Sequence, residues 1–559
     1  MSDRAPKAQT PLSAFAWLGA GAGLLLAAWS LPVNLKSITP SLLRAAGAGT
    51  PSVAQLGRQL VQSEKIGPAA LVLAAAEAVR DPGAAALQTE LTQLAAHQPG
   101  MAAWGGWDPF LDPLFNLHGS AGRTTSTPVL TFFIAEKAMQ SLRTYLTASR
   151  SLGVQAVLRT RDVAETGRFV PATRPGGQPL DAVILLTAML YQGEHLSPSL
   201  QREVRTLAET ATQQKALGEL EAFYFDLLSL GKRLDWVQLG ELLRHTDDTK
   251  TVGEYAQLAR VTPDELPTIY TAALFSESAD RVATYLMQYG TAGLSDLRFA
   301  LGLGQGAVRQ LLLRQVPLNR TDNPALGVAV EFGLLHPRLA LIVKWLGFLA
   351  GAFGLFRGLD RALFAGHSEF GPALPHVKSG VLALLVAGLL VLATEPFLLR
   401  AAPASEFKVR LVLPALFTSS EPPPPAAAQT THAMDSTTLL SIGLFACLQV
   451  GMYLICLMRI REVAGSALHP LVKLKLMENE ENLFDGGLYL GIGGTATALV
   501  LQVLGIIQPN LLAAYSSNLF GITCVALVKI RHVRPYKRTL ILESQARADM
   551  PAAVARPAS

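Results

Sequence analysis

Long apolar runs alternate with amphipathic helical patterns along this chain of 559 residues. A helix needs roughly 20 mostly apolar residues to cross the hydrocarbon core of a bilayer. Runs of about this length predict an all-α membrane protein with about six transmembrane helices. The runs cover residues 12–31, 339–355, 381–399, 439–458, 487–507 and 511–528.

The long polar region between the first two runs, residues 33–337, has apolar residues three and four positions apart, the period of an amphipathic helix. Asp235 and Thr262 precede helical segments in the manner of N-caps. Only 153–170 carries a weak strand signal, which indicates a loop or a short hairpin. Because the short helices between 198 and 315 cannot bury their apolar faces alone, they must stack as a bundle or a solenoid, although no fixed repeat period is present.

Basic residues flank the apolar runs and predict the orientation of the chain. Arg4 precedes the first run, Arg459 and Arg461 follow the fourth, and Lys529 and Arg531 follow the sixth. With six spans these residues lie on one side, which predicts a membrane protein with both termini inside and residues 33–337 outside the cytoplasm. The net charge of +5 is explained by this topology, so no nucleic-acid partner is predicted.

The runs divide the chain into six predicted segments. The first is either an uncleaved anchor or a signal peptide, because its apolar run is long but no clear cleavage site follows it. Three helices near the C-terminus form a separate membrane domain. In order, the segments are the anchor 1–32, the exported helical domain 33–337, two transmembrane helices in 338–400, a proline-rich exported linker 401–437, the three-helix membrane domain 438–542 and a disordered tail 543–559.

The composition argues against a purely cytosolic enzyme. Half of the residues are hydrophobic and 16% are charged, against about 25% charged in soluble domains. The three cysteines all lie in apolar runs, the histidines lack metal-ligand spacing, and no catalytic motif is present, so no catalytic residue, metal or cofactor is predicted. The glycine-rich stretch 302–306 indicates a helix-breaking turn. Lys344 and Glu395 lie near the ends of apolar runs, where snorkelling would explain them.

The last two runs contain more hydroxyl and amide groups than the others. Thr495 and Thr497 lie in the fifth run, and Ser517 and Asn518 lie in the sixth. Polar side chains in hydrocarbon normally face other helices or water. Because a turn of three residues joins these runs, the two polar sets can share one surface. The sequence leaves open whether that surface lines a pore or only holds interhelical hydrogen bonds.

Two segments here resemble the MotA/TolQ/ExbB family of proton-channel subunits. Residues 490–496, LGIGGTA, are similar to the LGLxGTV element of that family. Residues 514–522, AYSSNLFGI, are similar to the AFxxTLYGV element in its last span. The predicted order of the last three spans also agrees with the family, whose final two spans form a hairpin with a short outside turn.

The resemblance implies a pore that encloses the transmembrane helix of a partner. Thr495 and Asn518 would face this pore, with Thr497 and Ser517 as further lining candidates. Gly494 and Gly521 would allow close helix packing. In the second run, Gly347 and Gly351 form a GxxxG pattern that also predicts close packing, as Gly19 and Gly23 do in the first run.

The expected partners are membrane lipid, further copies of the same chain in a homo-oligomer, and a single-span subunit of the ExbD, TolR or MotB type, which carries the proton-binding aspartate. The resemblance therefore implies a non-enzymatic proton-channel or stator-like subunit of an envelope energy-transducing complex in a bacterial inner membrane, with residues 33–337 in the periplasm. The alternative is a membrane-anchored helical scaffold that binds envelope partners through its exported domain.

Overall fold

The computed structural model describes residues 11–117, 125–320, 326–363, 374–398, 406–407, 436–503 and 511–554. The part of the chain so described is all-helical and has no strands, which confirms the predicted all-α class. Only isolated bridges join Ile38 to Leu318 and Glu165 to Ala216. The chain divides into unit 1, residues 1–37, 323–401 and 415–559, and unit 2, residues 38–322 and 402–414.

The helices are numbered in chain order. Unit 1 begins with α1 (Pro11–Trp29). Unit 2 contains α2 (Pro40–Gly47), α3 (Val53–Gln62), α4 (Ile66–Ala78), α5 (Ala84–His97), α6 (Pro99–Trp104), α7 (Asp112–Phe115), α8 (Val129–Phe133), α9 (Glu136–Thr147), α10 (Leu152–Arg159), α11 (Gln178–Gln192), α12 (Pro198–Gln214), α13 (Leu220–Gly231), α14 (Trp236–Arg244), α15 (Thr249–Val261), α16 (Leu266–Ser276), α17 (Ala279–Leu303) and α18 (Gln305–Arg314). Unit 1 continues with α19 (Gly327–Leu335), α20 (Pro337–Leu363), α21 (Leu374–Thr394), α22 (Ser436–Gly465), α23 (Pro470–Asn479), α24 (Glu481–Phe484), α25 (Gly486–Val503), α26 (Leu511–Ala526) and α27 (Arg534–Val554).

Each of the six apolar runs contains a helix in the part of the chain that the structure describes, in order α1, α20, α21, α22, α25 and α26. Within the described ranges, Pro337–Ala362 is the one helix long and apolar enough to cross a bilayer. Shorter apolar helices occur at Ser13–Trp29, Ile66–Ala78 and Ser379–Thr394. The number of six spans therefore stays a prediction.

Two sequence expectations fall partly or wholly outside the described residues. The turn formed by Gln508, Pro509 and Asn510 lies outside them, as does most of the linker 401–437. Residues 543–554 of the tail predicted to be disordered lie in α27, which continues to Val554. The positive charges at the start of α27 precede an apolar stretch, TLIL, that favours continuation of the helix.

Local signals in unit 2 predict some helix ends correctly and others wrongly. Asp235 caps α14 in a capping box with Gln238, as predicted. Thr262 does not cap a helix; its hydroxyl donates to the carbonyl of Leu258 instead. The expectation of a loop or a short hairpin at 153–170 is wrong for the first half of this segment, which α10 and a 3-10 turn occupy. The turn at 302–306 is confirmed by Gly304, whose φ of +112° separates α17 from α18.

The glycine-rich stretch around α6 is a packed corner of unit 2. Asp108 lies just after it and is buried, with its Oδ2 2.7 Å from Nε2 of His195 and 3.0 Å from Nε1 of Trp236. Burial alone would raise the pKa of Asp108, but these hydrogen bonds outweigh it and lower the pKa below its usual value. His195 is thus a hydrogen-bonded residue of the core of unit 2.

The Asp235 carboxylate is enclosed by backbone. A Cβ added at Gly67 would lie 1.9 Å from its Oδ2, and one added at Gly105 would lie 2.1 Å from its Oδ1. Because this burial disfavours the charged form, it raises the pKa of Asp235 to about 7, although hydrogen bonds from Gln238 and Ser126 oppose the shift.

We expect Asp235→Asn to stabilise the protein more at pH 8 than at pH 5. The raised pKa means that the folded state binds a proton more tightly than the unfolded state, so the stability present below about pH 4 is lost as pH rises towards 7. Asparagine keeps the cap without the charge, and its benefit should grow by roughly 2–3 kcal/mol between these pH values. Thermal unfolding of the full-length protein, followed by tryptophan fluorescence, measures this difference. The control is Asp264→Asn, because the Asp264 side chain is exposed. If Asp235→Asn stabilises the protein equally at both pH values, the pKa of Asp235 is not raised.

Candidate functional site

The candidate site is the crossing of α25 and α26 in unit 1, where the backbones of the two helices touch. A Cβ added at Gly491 would lie 3.0 Å from the carbonyl oxygen of Ser517 and 3.2 Å from Cα of Asn518. One added at Gly521 would lie 2.6 Å from the carbonyl oxygen of Gly487. At Gly521 only glycine fits, because the neighbouring atom belongs to the backbone of α25. At Gly491 a Cβ would require the backbone of α26 to shift by a few tenths of an ångström.

Gly494 extends the same crossing toward α22. A Cβ at this position would lie 2.5 Å from Oγ of Ser517 and 2.8 Å from Cε1 of Phe445. Gly494 and Gly521, the two packing positions named from the sequence, therefore both lie where helices meet. The crossing brings three helices together within the C-terminal part of unit 1.

The predicted hydroxyl groups are placed differently from one another. The hydroxyls of Thr495 and Ser517 both donate to the carbonyl of Gly491, at 3.0 Å and 3.1 Å. Ser517 is fully buried, whereas Thr497 is exposed and its hydroxyl donates to the carbonyl of Gly493. The structure thus brings Thr495 and Ser517 together at Gly491 and leaves Thr497 on an outer face.

Two amide oxygens at the crossing lack a hydrogen-bond donor among the described residues. Oδ1 of Asn518 is buried and accepts no hydrogen bond there, and the same is true of Oε1 of Gln449 on α22. Nε2 of Gln449 does bond, to the carbonyl of Gly487 at 2.9 Å. Gln449 was missed by the sequence analysis, although it is the one amide in the fourth apolar run. Amide oxygens without donors are costly in an apolar medium.

Polar contacts gather at one end of this group of helices. Nζ of Lys529, after α26, lies 2.7 Å from a carboxylate oxygen of Asp485, just before α25. Arg459 near the end of α22 binds Glu480 at 2.7 Å, and the Tyr453 hydroxyl lies 2.8 Å from Nε2 of His532. The end of α22, the start of α25 and the end of α26 therefore lie together, as a hairpin preceded by an antiparallel span requires.

A second polar group lies among α1, α20 and α21, also in unit 1. Nζ of Lys344 donates to the carbonyl of Val33 at 2.9 Å and to Oδ1 of Asn34 at 2.7 Å. Glu395 accepts the backbone N–H of Leu35 at 2.8 Å. Each charged side chain is only 1% exposed. The snorkelling interpretation is therefore wrong for both, because they turn inward and bind the segment that follows α1.

The glycines of α20 hold α1 close to the same group. A Cβ at Gly347 would lie 2.8 Å from Cβ of Ala28, and one at Gly351 would lie 2.9 Å from the carbonyl oxygen of Gly21. A Cβ added at Gly21, in turn, would lie 2.6 Å from the backbone N of Leu355. Helix α1 is thus an integral part of the core of unit 1, packed through small residues.

No group of three or more histidine, cysteine, aspartate or glutamate side chains in the described ranges is arranged to hold a metal ion. The cysteines Cys447, Cys456 and Cys524 are free thiols. Comparison with protein-family models, curated proteins and solved structures gives no match to this chain.

Proposed function

We propose that this protein is an integral membrane subunit of the proton-channel or stator-like type, in an envelope energy-transducing complex of a bacterial inner membrane. In this proposal six helices span the membrane with both termini inside, and residues 33–337 are periplasmic. The crossing of α22, α25 and α26 receives a transmembrane helix from a single-span partner. Further copies of the chain complete the enclosure around that helix.

The observation that carries the proposal is the pair of amide oxygens without donors, on Asn518 and Gln449. Each lies beside a glycine where backbones approach closely, so the cost of burying it is not offset within the described part of unit 1. A protonated carboxyl group donates the hydrogen bond that an amide oxygen lacks. A partner helix with such a carboxyl group would satisfy Asn518 when protonated and release it when ionised.

A membrane-anchored scaffold is the second candidate, and one feature of unit 2 favours it. One of its buried carboxylates is paired twice within the unit: Asp181 binds both Arg143 and Arg161. At the same time, Leu152 and Leu313 are 68% and 63% exposed. A helical unit that is braced by such internal ion pairs and exposes leucines is suited to binding another protein, with unit 1 as its anchor.

We expect Asn518→Leu to reduce co-purification of a single-span partner at least tenfold, because leucine cannot accept a hydrogen bond from the partner's carboxyl group. The measurement is affinity purification of the full-length protein from membranes, followed by quantitative mass spectrometry. Thr523→Val is the matched control, since the Thr523 hydroxyl is exposed and already bonded to the carbonyl of Leu519.

Proton flux through vesicles that contain the co-purified complex separates the two candidates. Flux that is present with the native chain and lost with Asn518→Leu supports the channel. If Asn518→Leu leaves both the set of partners and the flux of the native protein unchanged, the channel proposal is wrong and the scaffold remains.

A further inference from the structure

Helix α27 extends unit 1 beyond the polar end of α26, through the π-helical segment Leu527–Val533. One face of this extension is buried. Val533, Tyr536 and Leu540, at helical spacing, pack in a cluster that includes Met477 of α23. The buried face fixes which side of α27 points outward.

The outward side of α27 carries basic and apolar residues together. Arg534, Lys537, Arg538, Ile541 and Leu542 follow one another at spacings of three, four, seven and eight from the first, so they share one helical face. We call these five residues the interfacial face. Ile541 and Leu542 are 43% and 56% exposed, and the three basic residues are exposed or half-buried.

The interfacial face itself carries only basic and apolar residues, and Glu543 follows it in the chain. From Lys529 to Leu542 the sequence contains five basic residues and no acidic one. Asp485 neutralises Lys529. The neighbouring helix α23 also carries exposed Leu471, Val472 and Lys475, together with exposed Glu478. Large exposed apolar side chains beside unpaired positive charges suit a membrane surface, where anionic headgroups lie above apolar acyl chains.

We propose that the interfacial face lies on the inner bilayer surface and binds the headgroups of anionic phospholipids. The basic side chains contact lipid phosphates, while Ile541 and Leu542 enter the boundary between headgroups and acyl chains. The inference rests on the proposed membrane insertion of unit 1, but not on a partner helix at Asn518. A nucleic acid would leave Ile541 and Leu542 without apolar contacts, whereas a lipid surface buries them, so lipid is the favoured ligand.

The test measures binding of short-chain phosphatidylglycerol to the full-length protein in maltoside micelles, with phosphatidylcholine of the same chain length as the neutral probe. We expect the triple variant Arg534→Gln, Lys537→Gln, Arg538→Gln to weaken phosphatidylglycerol binding on the order of 100-fold at low salt, because each basic residue near an anionic surface contributes about 1 kcal/mol. The control carries the same charge change on exposed lysines of unit 2: Lys215→Gln, Lys232→Gln, Lys250→Gln.

A second variant, Ile541→Ser with Leu542→Ser, tests the apolar part and should weaken binding of both lipids. Equal affinity of the native protein for both lipids, or full retention of phosphatidylglycerol by the triple variant, would overturn the proposal. Competition by inorganic phosphate as strong as that of the lipid would assign the site to free phosphate and overturn it too. Extraction of membranes with alkaline carbonate tests the insertion of unit 1 separately. A failure of the lipid-binding test therefore does not decide whether a partner helix binds at Asn518.

Discussion

Gly521→Val is expected to abolish accumulation of the folded full-length protein in membranes. Its Cβ would lie 2.6 Å from the carbonyl oxygen of Gly487 and 3.2 Å from Cα of Gly491. Both atoms belong to the backbone of α25, so the helices must separate and the contacts around Ser517 are lost. Overpacking of this kind costs about 3 kcal/mol, and separation of the helices adds to it.

The matched control is Gly493→Val, because nothing lies within 4 Å of a Cβ at Gly493. Both variants add the same β-branched side chain to a helix of the same hairpin. Membrane fractions and the free energy of unfolding in dodecyl sulfate mixed micelles compare the two. Equal loss from both substitutions would show that the crossing does not limit stability.

Lys344→Met is expected to destabilise unit 1 by about 3 kcal/mol, the usual result of removing one member of a buried charged group. Methionine fills the same space but leaves the carbonyl of Val33 and Oδ1 of Asn34 without their donor. It also leaves the buried Glu395 without the nearby positive charge. Titration with dodecyl sulfate in mixed micelles measures the change, and Arg338→Met, at the exposed start of α20, is the control.

Combining Lys344→Met with Glu395→Leu tests whether the two charges act together. If they do, the double variant is more stable than the sum of the single effects predicts, because no buried charge is left behind. Strictly additive losses would show that Lys344 acts only through Val33 and Asn34.

The elements of this protein could be predicted from the sequence because their causes are local. An apolar run of about 20 residues forms a helix whatever surrounds it, and α1, α20, α21, α22, α25 and α26 begin within a few residues of the predicted runs, apart from the earlier start of α21. The cap at Asp235 needed only its neighbour Gln238. Local signals failed at Thr262, because its hydroxyl donates to the carbonyl of Leu258 in the preceding turn and does not cap the next helix.

The candidate site could be predicted only in part. Gly494, Thr495 and Gly521 stood out because they belong to short motifs. Gln449 did not, because its importance comes from Gly487 on another helix, 38 residues away in sequence. The prediction for Lys344 failed for the same reason, as its acceptor Asn34 lies 310 residues earlier.

The helical class and the positions of the apolar helices could be predicted from the sequence alone, because periodicity, run length and residue type are properties of neighbouring positions. Only the tertiary structure decided that Lys344 and Glu395 turn inward, that Thr497 lies apart from Thr495 and Ser517, and that Asn518 and Gln449 keep amide oxygens without donors. These outcomes depend on which distant groups can reach a side chain within about 3 Å, the range of a hydrogen bond, and packing alone sets that distance.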